Sequence, residues 1–307
     1  MNESDLLSLL RTLPLHPGGR GLRDDAAIVN GLVLTTDTLV EGVHFLPTDP
    51  PGDVAWKLLA VNLSDLAAKG ATPEGVLLNY PLSDPDWDRA FFDGLDIALR
   101  EHACPVIGGD TVTLPRGALR ILTLTALGRD AAAPSRTGAQ AGDLLWVTGP
   151  IGDAGAGLAI ARGETGPPEL LRAYRRSTPR LVEGRALGGH VHAMSDVSDG
   201  LLLDAARMAD ASGLAVTLDL AAVPLSPAYI AHRSDARAAR LFASTAGDDY
   251  QLLFAAPPGY VPPVPAARIG DFAPGRGLAL HDAGEPLPLP GMLGYEHSPL
   301  APVRPAP

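Results

Sequence analysis

Aspartates recur at the points where apolar, strand-like segments of this 307-residue chain end. Aspartate is a poor strand former, so each one taken alone is expected to cap a turn or a helix start. Ligands in α/β folds bind at the carboxyl ends of strands, where such residues would meet. We therefore predict that separate segments bring these carboxylates together. The set comprises Asp24, Asp25, Asp37, Asp65, Asp110, Asp196 and Asp199.

A dispersed set of carboxylates is typical of magnesium chemistry. Magnesium takes hard oxygen ligands in octahedral geometry and is commonly held by one or two carboxylates together with substrate phosphates. Short side chains on glycine-bordered turns let backbone and ligand approach closely. Lys57 and Lys69 are the only lysines among 24 basic residues, so carboxylate-held metal would do much of the work on phosphate groups.

Several other kinds of protein are excluded by what the sequence lacks. It contains no G-x-x-x-x-G-K-[ST] P-loop and no H-R-D or D-F-G protein-kinase set. The single Cys104 excludes a disulfide framework and is expected to be a small buried hydrophobe. A net charge of −11 discourages nucleic-acid binding, and no apolar run is long enough to cross a bilayer. We expect a cytoplasmic protein without nucleic-acid or membrane partners.

Alternating strand-like and helix-like segments predict an α/β fold with mixed sheets. Strands are predicted over 32–38, 75–82, 119–127 and 143–148, and helices over 53–69 and 86–102. A second strand–turn–helix unit covers 191–209. The small, polar segment 131–142 predicts a domain junction, which divides the chain into residues 1–138 and 139–307. From about Gly259 onward the composition is that of a Pro/Ala-rich tail.

Two of the aspartates have competing interpretations. Asp65 lies in a row with Asn62 and Lys69 on the predicted helix. That row is either a solvated face with an Asp–Lys pair or the wall of a phosphate site. Asp199 follows a strand that ends at Asp196, and it either binds metal or caps the next helix. The spacing does not decide between these alternatives.

Seven motifs, in chain order, resemble the thiamine-monophosphate kinase family. They are TTDTLVEGVHF, WKLLAVNLSDLAAKGATP, IGGDT, SRTGAQAGDLLWVTGPIGDAGAGL, DVSDGLLLD, AGDDYQLLF and GYEH, and the resemblance spans about Gly21 to His297. DVSDGL and GGDT are shared more widely with the aminoimidazole ribonucleotide synthetase superfamily. The resemblance implies the two-domain architecture of that superfamily and a homodimer packed through its N-terminal domains. It also implies ATP-dependent, magnesium-assisted in-line phosphorylation of thiamine monophosphate to thiamine diphosphate.

Individual roles are implied by the same resemblance, position by position. The implied magnesium ligands are Asp25, Thr35, Thr36, Asp37, Asp65, Asp110, Asp196 and Asp199. The implied ATP contacts are Gly109, Asp110, Arg136 and Ser198, and the implied catalytic set is Asp37, Asp65, Asp110 and Arg136. Contacts to thiamine monophosphate fall on His44, Asp248 and Tyr295. Residues 1–138 would bind ATP and magnesium and form the dimer, and residues 139–307 would complete the active site.

The chain departs from the family pattern in two loops. The usual G-I-G-D-D segment is G-L-R-D-D over residues 21–25, so either the turn differs or Arg23 reaches the phosphates. The usual G-G-[ED]-D-Y-E segment is A-G-D-D-Y-Q over residues 246–251, which contains Asp248. Two other functions stay open: another ATP-using enzyme of the same superfamily, similar to aminoimidazole ribonucleotide synthetase, or a non-catalytic nucleotide-binding protein.

Overall fold

Two mixed β-sheets organise the computed structural model, which describes residues 3–129 and 133–297. The predicted α/β class with mixed sheets is confirmed. The elements of the first half are α1 (Glu3–Leu10), β1 (Ala27–Val29), β2 (Leu32–Val40), α2 (Pro51–Ala68), β3 (Thr72–Leu82), α3 (Pro85–Glu101), β4 (Val106–Thr113) and β5 (Ile121–Arg129). Each strand and helix predicted in this half is present, with ends shifted by a few residues.

The first sheet has the strand order β1-β2-β5-β3-β4. β3 and β4 run parallel, whereas the other neighbouring pairs are antiparallel. Alternate residues of β5, including Leu122 and Leu124, are buried against α2. β4 is an edge strand in which every residue is exposed. β4 was not among the predicted strands, since its glycines and aspartate interrupt the apolar pattern of a strand.

The second sheet has the strand order β12-β11-β8-β10-β6-β9-β7. Buried residues of this sheet and of the helices packed against it form a second apolar cluster. The elements are β6 (Leu144–Val147), α4 (Asp153–Ala161), α5 (Pro168–Arg175), α6 (Leu181–Leu187), β7 (Ala193–Asp196), α7 (Leu201–Ser212), β8 (Leu214–Asp219), α8 (Pro227–Arg233), α9 (Arg237–Ala246), β9 (Leu252–Ala256), β10 (Ala267–Pro274), β11 (Gly277–Asp282) and β12 (Glu285–Leu287).

Much of the segment described above as a Pro/Ala-rich tail forms part of this second sheet. β10 lies between β8 and β6, and its Ile269 and Phe272 are buried. The tail interpretation was wrong because overall composition concealed a short alternating pattern. The predicted boundary near residue 138 stays a prediction. Residues 131 and 132 of the predicted junction, and everything from residue 298 onward, lie outside the described residues.

Helix α2 lies at the centre of the molecule, with one side on the first sheet and the other against α5, α6 and β7. A Cβ atom on Gly184 of α6 would come within 2.1 Å of the Ala67 carbonyl oxygen, so glycine permits this close packing. Asn62 and Lys69 are completely buried. The alternative of a solvated Asn–Asp–Lys face is therefore wrong, because this row faces the interior between the two halves.

Two further expectations were tested. Cys104 is buried, and burial raises the pKa of its thiol to about 11, which is unfavourable for a nucleophile. Within the described ranges 3–129 and 133–297, no helix has the length and apolar character that a membrane span requires.

Candidate active site

Three carboxylates from distant segments meet between the two sheets. Asp25 precedes β1, Asp65 belongs to α2, and Asp196 is the last residue of β7. One oxygen of each carboxylate lies within 4.8 Å of the others. The structure thus brings together residues that are 40 and 131 positions apart in sequence, as 65 − 25 and 196 − 65. Such a group of hard oxygen donors matches the preference of a magnesium ion.

Hydroxyl groups on neighbouring elements hold two of these carboxylates in place. The Ser64 hydroxyl donates to Asp196 Oδ2 at 2.6 Å, which joins α2 to β7. The Thr35 hydroxyl of β2 donates to Asp65. Two elements from the first half and one from the second therefore meet at the cluster. Its geometry depends on how the halves pack on each other.

The electrostatics of the cluster favour the binding of a cation. Burial, together with the charges of neighbouring aspartates, raises the pKa of both Asp65 and Asp196 well above the usual range. Asp37 lies near them, with its backbone N–H donating to Asn62 Oδ1 at 3.1 Å. Burial, and then the charge of Asp199, raises the pKa of Asp37 to about 6. A divalent cation would relieve this repulsion and restore the ionised carboxylates.

Two basic side chains form ion pairs with Asp25 of the cluster. Lys69 Nζ lies 2.8 Å from Asp25 Oδ2 and also pairs with Asp24. Arg136 pairs with the other oxygen of Asp25. Although burial opposes it, the charges of Lys69 and Arg20 lower the pKa of Asp24 to about 2. The sequence suggested Asp65 as the partner of Lys69 by helical spacing, but the ion pairs of Lys69 are with Asp24 and Asp25.

The turn before α7 is organised by an aspartate that the sequence analysis did not single out. Asp204 Oδ2 accepts from the backbone N–H groups of Ser198, Asp199 and Gly200 at 3.1, 3.1 and 3.2 Å. Burial, and then the charge of Asp199, raises the pKa of Asp204 to about 7. The carboxylate of Asp199 instead pairs with Arg207. The alternative in which Asp199 caps the helix is therefore wrong.

Gly109 and Asp110 are not part of this cluster. Both lie on the exposed strand β4, three strands away from Asp37 in the order β2-β5-β3-β4. At roughly 4.8 Å per strand, the sheet places Gly109 about 14 Å from Asp37. Thr36 also lies apart, since its residue is exposed and its hydroxyl donates to the Leu124 carbonyl at 3.2 Å. The implied magnesium ligands thus divide between an enclosed group and an open edge.

The three residues implied to contact thiamine monophosphate lie in one region. Lys57 and His297 contact them there. Lys57 Nζ donates to Asp248 Oδ2 at 2.7 Å and to the His44 carbonyl at 3.1 Å. The His297 ring lies 5.4 Å from that of His44 and 5.0 Å from that of Tyr295, between ring centroids. Burial, and then His297, lowers the pKa of His44. The sequence signals were present, as Lys57 and His297 both stand inside the family-like motifs.

The altered loop around Asp248 has a constrained backbone. Asp248 and Tyr250 have φ angles of 65° and 50°, which side-chain-bearing residues seldom adopt. The Tyr250 hydroxyl donates to Asp248 Oδ1 at 2.9 Å. Asp249 accepts from the Gly152 N–H at 2.9 Å and so ties the loop to the start of α4. This loop presents Asp248 to the region of His44 despite its departures from the family pattern.

The other altered loop keeps an ordinary backbone at the substituted position. Arg23 has a φ of −122°, a value that needs no glycine. The left-handed conformations occur just before it, at Arg20, Gly21 and Leu22. Arg20, rather than Arg23, reaches the aspartates, with Nη1 2.5 Å from Asp24 Oδ2. Arginine at position 23 is therefore compatible with the turn.

Comparisons with known proteins cover nearly the whole chain. The family described as AIR synthase related protein, N-terminal domain, matches residues 23–129, and the corresponding C-terminal domain matches residues 140–284. Thiamine-monophosphate kinase of Escherichia coli strain K12 is 38% identical over 302 residues, which cover 90% of this chain and 91% of that protein. The Salmonella typhimurium enzyme of the same name is 42% identical over 251 residues, 77% of this chain and 76% of that protein.

One solved structure extends the similarity to three dimensions. AaThiL complexed with AMPPCP and TMP has a TM-score of 0.84 and 29% identity to this chain, with 97% of each chain covered. The structure of that relative thus contains AMPPCP and TMP together.

Proposed function

Because the chain belongs to the thiamine-monophosphate kinase family, we propose that it transfers a phosphoryl group from ATP to thiamine monophosphate, forming thiamine diphosphate and ADP. The family resemblance found in its motifs is confirmed. The observation that carries the proposal is the full-length similarity to a structure that holds AMPPCP and TMP. This similarity favours the kinase over another superfamily enzyme and over a non-catalytic nucleotide-binding protein.

Magnesium is part of the proposal because the donor set fits it. Asp25, Asp65 and Asp196 would hold the metal, as their oxygens converge and two of the three have raised pKa values. The Thr35 hydroxyl donates to Asp65, the charge of Asp37 acts on Asp65, and that of Asp199 acts on Asp37, so these three residues would complete the ligands. Bound magnesium neutralises phosphate charge and orients the phosphoryl group for in-line displacement.

The chain's own residues would position the nucleotide around that metal site. Arg136 is held at the cluster by Asp25, and 21% of its side chain is exposed, so part of it would be accessible to a phosphate. Ser198 lies on the turn that Asp204 organises. Phosphoryl transfer depends mainly on positioning and charge neutralisation, so this set requires no covalent intermediate. A cytoplasmic site of action belongs to the same proposal, since ATP is the phosphoryl donor.

The proposal includes a homodimer that covers strand β4. This edge strand is exposed along its whole length, and it carries the apolar side chains of Val106, Ile107 and Val112 at 48, 55 and 51% exposure. An unpaired, apolar edge is a liability unless another surface covers it. A partner on β4 would also enclose Gly109 and Asp110 and bring them into a site.

Mass measurement in solution tests the dimer. Chromatography with light scattering should give twice the chain mass of 31.8 kDa for the wild-type protein. Val112→Asp should give monomers with unchanged far-UV circular dichroism, because a charge on the edge opposes pairing. A monomeric wild-type protein would contradict this part of the proposal, and so would a Val112→Asp dimer that dissociates no more readily than the wild-type dimer.

Product analysis tests the activity. The pure protein is incubated with ATP, magnesium chloride and thiamine monophosphate, and the products are separated by chromatography. Thiamine diphosphate and ADP should accumulate in equal amounts. Formation of AMP, or release of inorganic phosphate without thiamine diphosphate, would overturn the proposed function.

A further inference from the structure

We propose that Lys57 is a positioning residue for the phosphoryl acceptor: its ammonium group holds the two halves of the acceptor pocket together. This inference rests on the proposed function, because it takes His44 and Asp248 as contacts of thiamine monophosphate. Lys57 would touch neither the transferred phosphoryl group nor ATP. Its role would be to fix the distance between the turn that carries His44 and the loop that carries Asp248.

The ammonium group of Lys57 lies in a fully enclosed position. Only 2% of the side chain is exposed, whereas its partner Asp248 is 33% exposed. Nζ lies 2.7 Å from Asp248 Oδ2 and 3.1 Å from the His44 carbonyl oxygen. The Tyr174 ring, 4.5 Å from Nζ to its centroid, covers a further side. Asp248 therefore contacts a buried cation on one side and is open to a ligand on the other.

Burial makes this arrangement sensitive to the loss of any partner. An ammonium group removed from water is tolerated only where anions, carbonyl oxygens or aromatic faces replace its hydration. Lys57 has all three kinds of partner. The His44 carbonyl comes from the segment after β2, and Asp248 comes from the loop before β9. One side chain thus joins elements from both halves of the molecule at the acceptor pocket.

The second lysine of the chain shows that the effect should be local. Lys69 directly follows α2, 12 residues after Lys57 (69 − 57), and pairs with Asp24 and Asp25 beside the carboxylate cluster. At 1.5 Å per residue the two lysines are about 18 Å apart along the helix axis. Loss of Lys57 should therefore disturb the acceptor while leaving ATP and magnesium binding intact.

Steady-state kinetics of Lys57→Met test the inference. The KM for thiamine monophosphate should rise on the order of 100-fold, since small misplacements of binding groups have effects of this size. The KM for ATP should stay within about twofold of wild type, as uniform binding of the donor is unaffected. Lys57→Arg keeps the charge and should recover part of the loss. Equal rises in both KM values, or no change in either, would overturn the inference.

Two further variants separate positioning from folding. Tyr174→Phe keeps the ring over Lys57 but removes the hydroxyl that donates to Asp49 at 2.7 Å, so it should lower the melting temperature without changing the KM for thiamine monophosphate. Lys57→Met/Asp248→Asn removes the ion pair without leaving a buried unpaired charge. If Lys57 acts through Asp248, this double variant should have no higher KM than the more affected single variant. Additive effects would overturn the inference.

The wild-type enzyme distinguishes the two possible failures. If it forms no thiamine diphosphate, the proposed function fails and takes this inference with it. If it does form thiamine diphosphate, and Lys57→Met binds thiamine monophosphate as tightly as wild type does by calorimetry, only the role of Lys57 fails.

Discussion

The carboxylates implied to hold magnesium lie in two very different environments. Asp25, Asp65 and Asp196 are enclosed between the two sheets, and two of them have pKa values far above the usual range. Asp110 is exposed on the edge strand β4. The enclosed group is assembled by the fold of one chain, whereas Asp110 stands where only a ligand or another chain can meet it. Family motifs alone do not reveal this division.

A carboxylate in the enclosed cluster and one on the exposed strand β4 differ in how they affect the stability of the fold. Enclosed like charges repel each other, so the fold carries the cost of the cluster when no cation is bound. An exposed carboxylate is solvated and costs the fold little. Substitutions should therefore change both stability and activity in the cluster, but activity alone on β4.

Asp65→Asn should have the largest effect. It removes a carboxylate proposed to hold the metal and should lower turnover on the order of 10²- to 10³-fold, as loss of a preorganised charge contact does. The metal-free variant should nevertheless melt at a higher temperature than wild type, because the burial of a charge and its repulsion with Asp37 and Asp196 are relieved. Steady-state assays and thermal denaturation in a chelator measure the two effects.

Asp53→Asn is the matched control for that variant. Asp53 lies on the same helix and pairs with the partly exposed Arg176 outside the cluster. Its substitution should change turnover by less than about twofold, since exposed ion pairs contribute little. A metal-free Asp65→Asn protein that melts below wild type would show that Asp65 is mainly structural.

Asp110→Asn should lower turnover less, about 10- to 100-fold, and leave the melting temperature of the metal-free protein unchanged. The carboxylate is exposed, so the fold does not depend on its charge. Parallel assays of activity and thermal unfolding measure these two effects. A substantial fall in melting temperature would mean that Asp110 supports the fold, and the comparison between the two regions would fail.

Acidity should change the stability of the metal-free protein in a defined direction. The folded-state pKa of Asp37 is about 6 and that of Asp204 about 7, both above the ordinary 3.8 of aspartate. At these two positions the folded state binds protons more tightly, so their contribution to stability is fully present below about pH 4 and is lost as pH rises from about 4 to 7. Between pH 5 and pH 7.5 the loss should be on the order of 4 kcal/mol, at about 1.4 kcal/mol per pH unit for each group below its folded-state pKa. Chemical denaturation at pH 5 and pH 7.5 measures it.

Repeating the denaturation in magnesium tests whether the pH dependence comes from the cluster. If the raised pKa values come from uncompensated charge in the cluster, adding magnesium should remove most of the pH dependence by neutralising that charge. A loss of stability that persists in saturating magnesium would assign the pH dependence to groups outside the cluster.

Arg23→Gly should have the smallest effect. Arg23 is exposed and has a φ of −122°, so the family glycine is not needed for the turn. Activity should stay within about twofold of wild type, and stability should fall by about 0.5–1 kcal/mol because glycine makes the unfolded chain more flexible. A large loss of ATP affinity would instead show that Arg23 reaches the phosphates.

The central helices and strands have strong apolar periodicity, so the sequence predicted their positions well. It did not predict β4, whose glycines and aspartate break that pattern, or β10, which lies in a Pro/Ala-rich segment. Both strands depend on pairing with neighbours that are distant in sequence. Short-range periodicity carries no information about such partners.

Within the site, the motifs identified the aspartates but not the residues that form ion pairs or hydrogen bonds with them. Helical spacing pointed to Asp65 as the partner of Lys69, whereas the fold pairs Lys69 with Asp24 and Asp25. Asp204, which organises the turn before α7, looked like an ordinary helical residue. The ion pair of Lys69 with Asp24 spans 45 positions of the sequence, so only the tertiary structure shows it.

Lys57 in helix α2 and Lys69 directly after that helix are almost completely or completely buried, which gives the molecule an unusual surface chemistry. Lys57 and Lys69 are 2% and 0% exposed, and the sequence contains no other lysine. Every cationic side chain on the exterior is therefore a guanidinium or an imidazole. Reagents directed at side-chain amines, such as activated esters, should leave the native protein unlabelled at lysine. Labelling at position 57 or 69 would then report that the two halves of the molecule have separated.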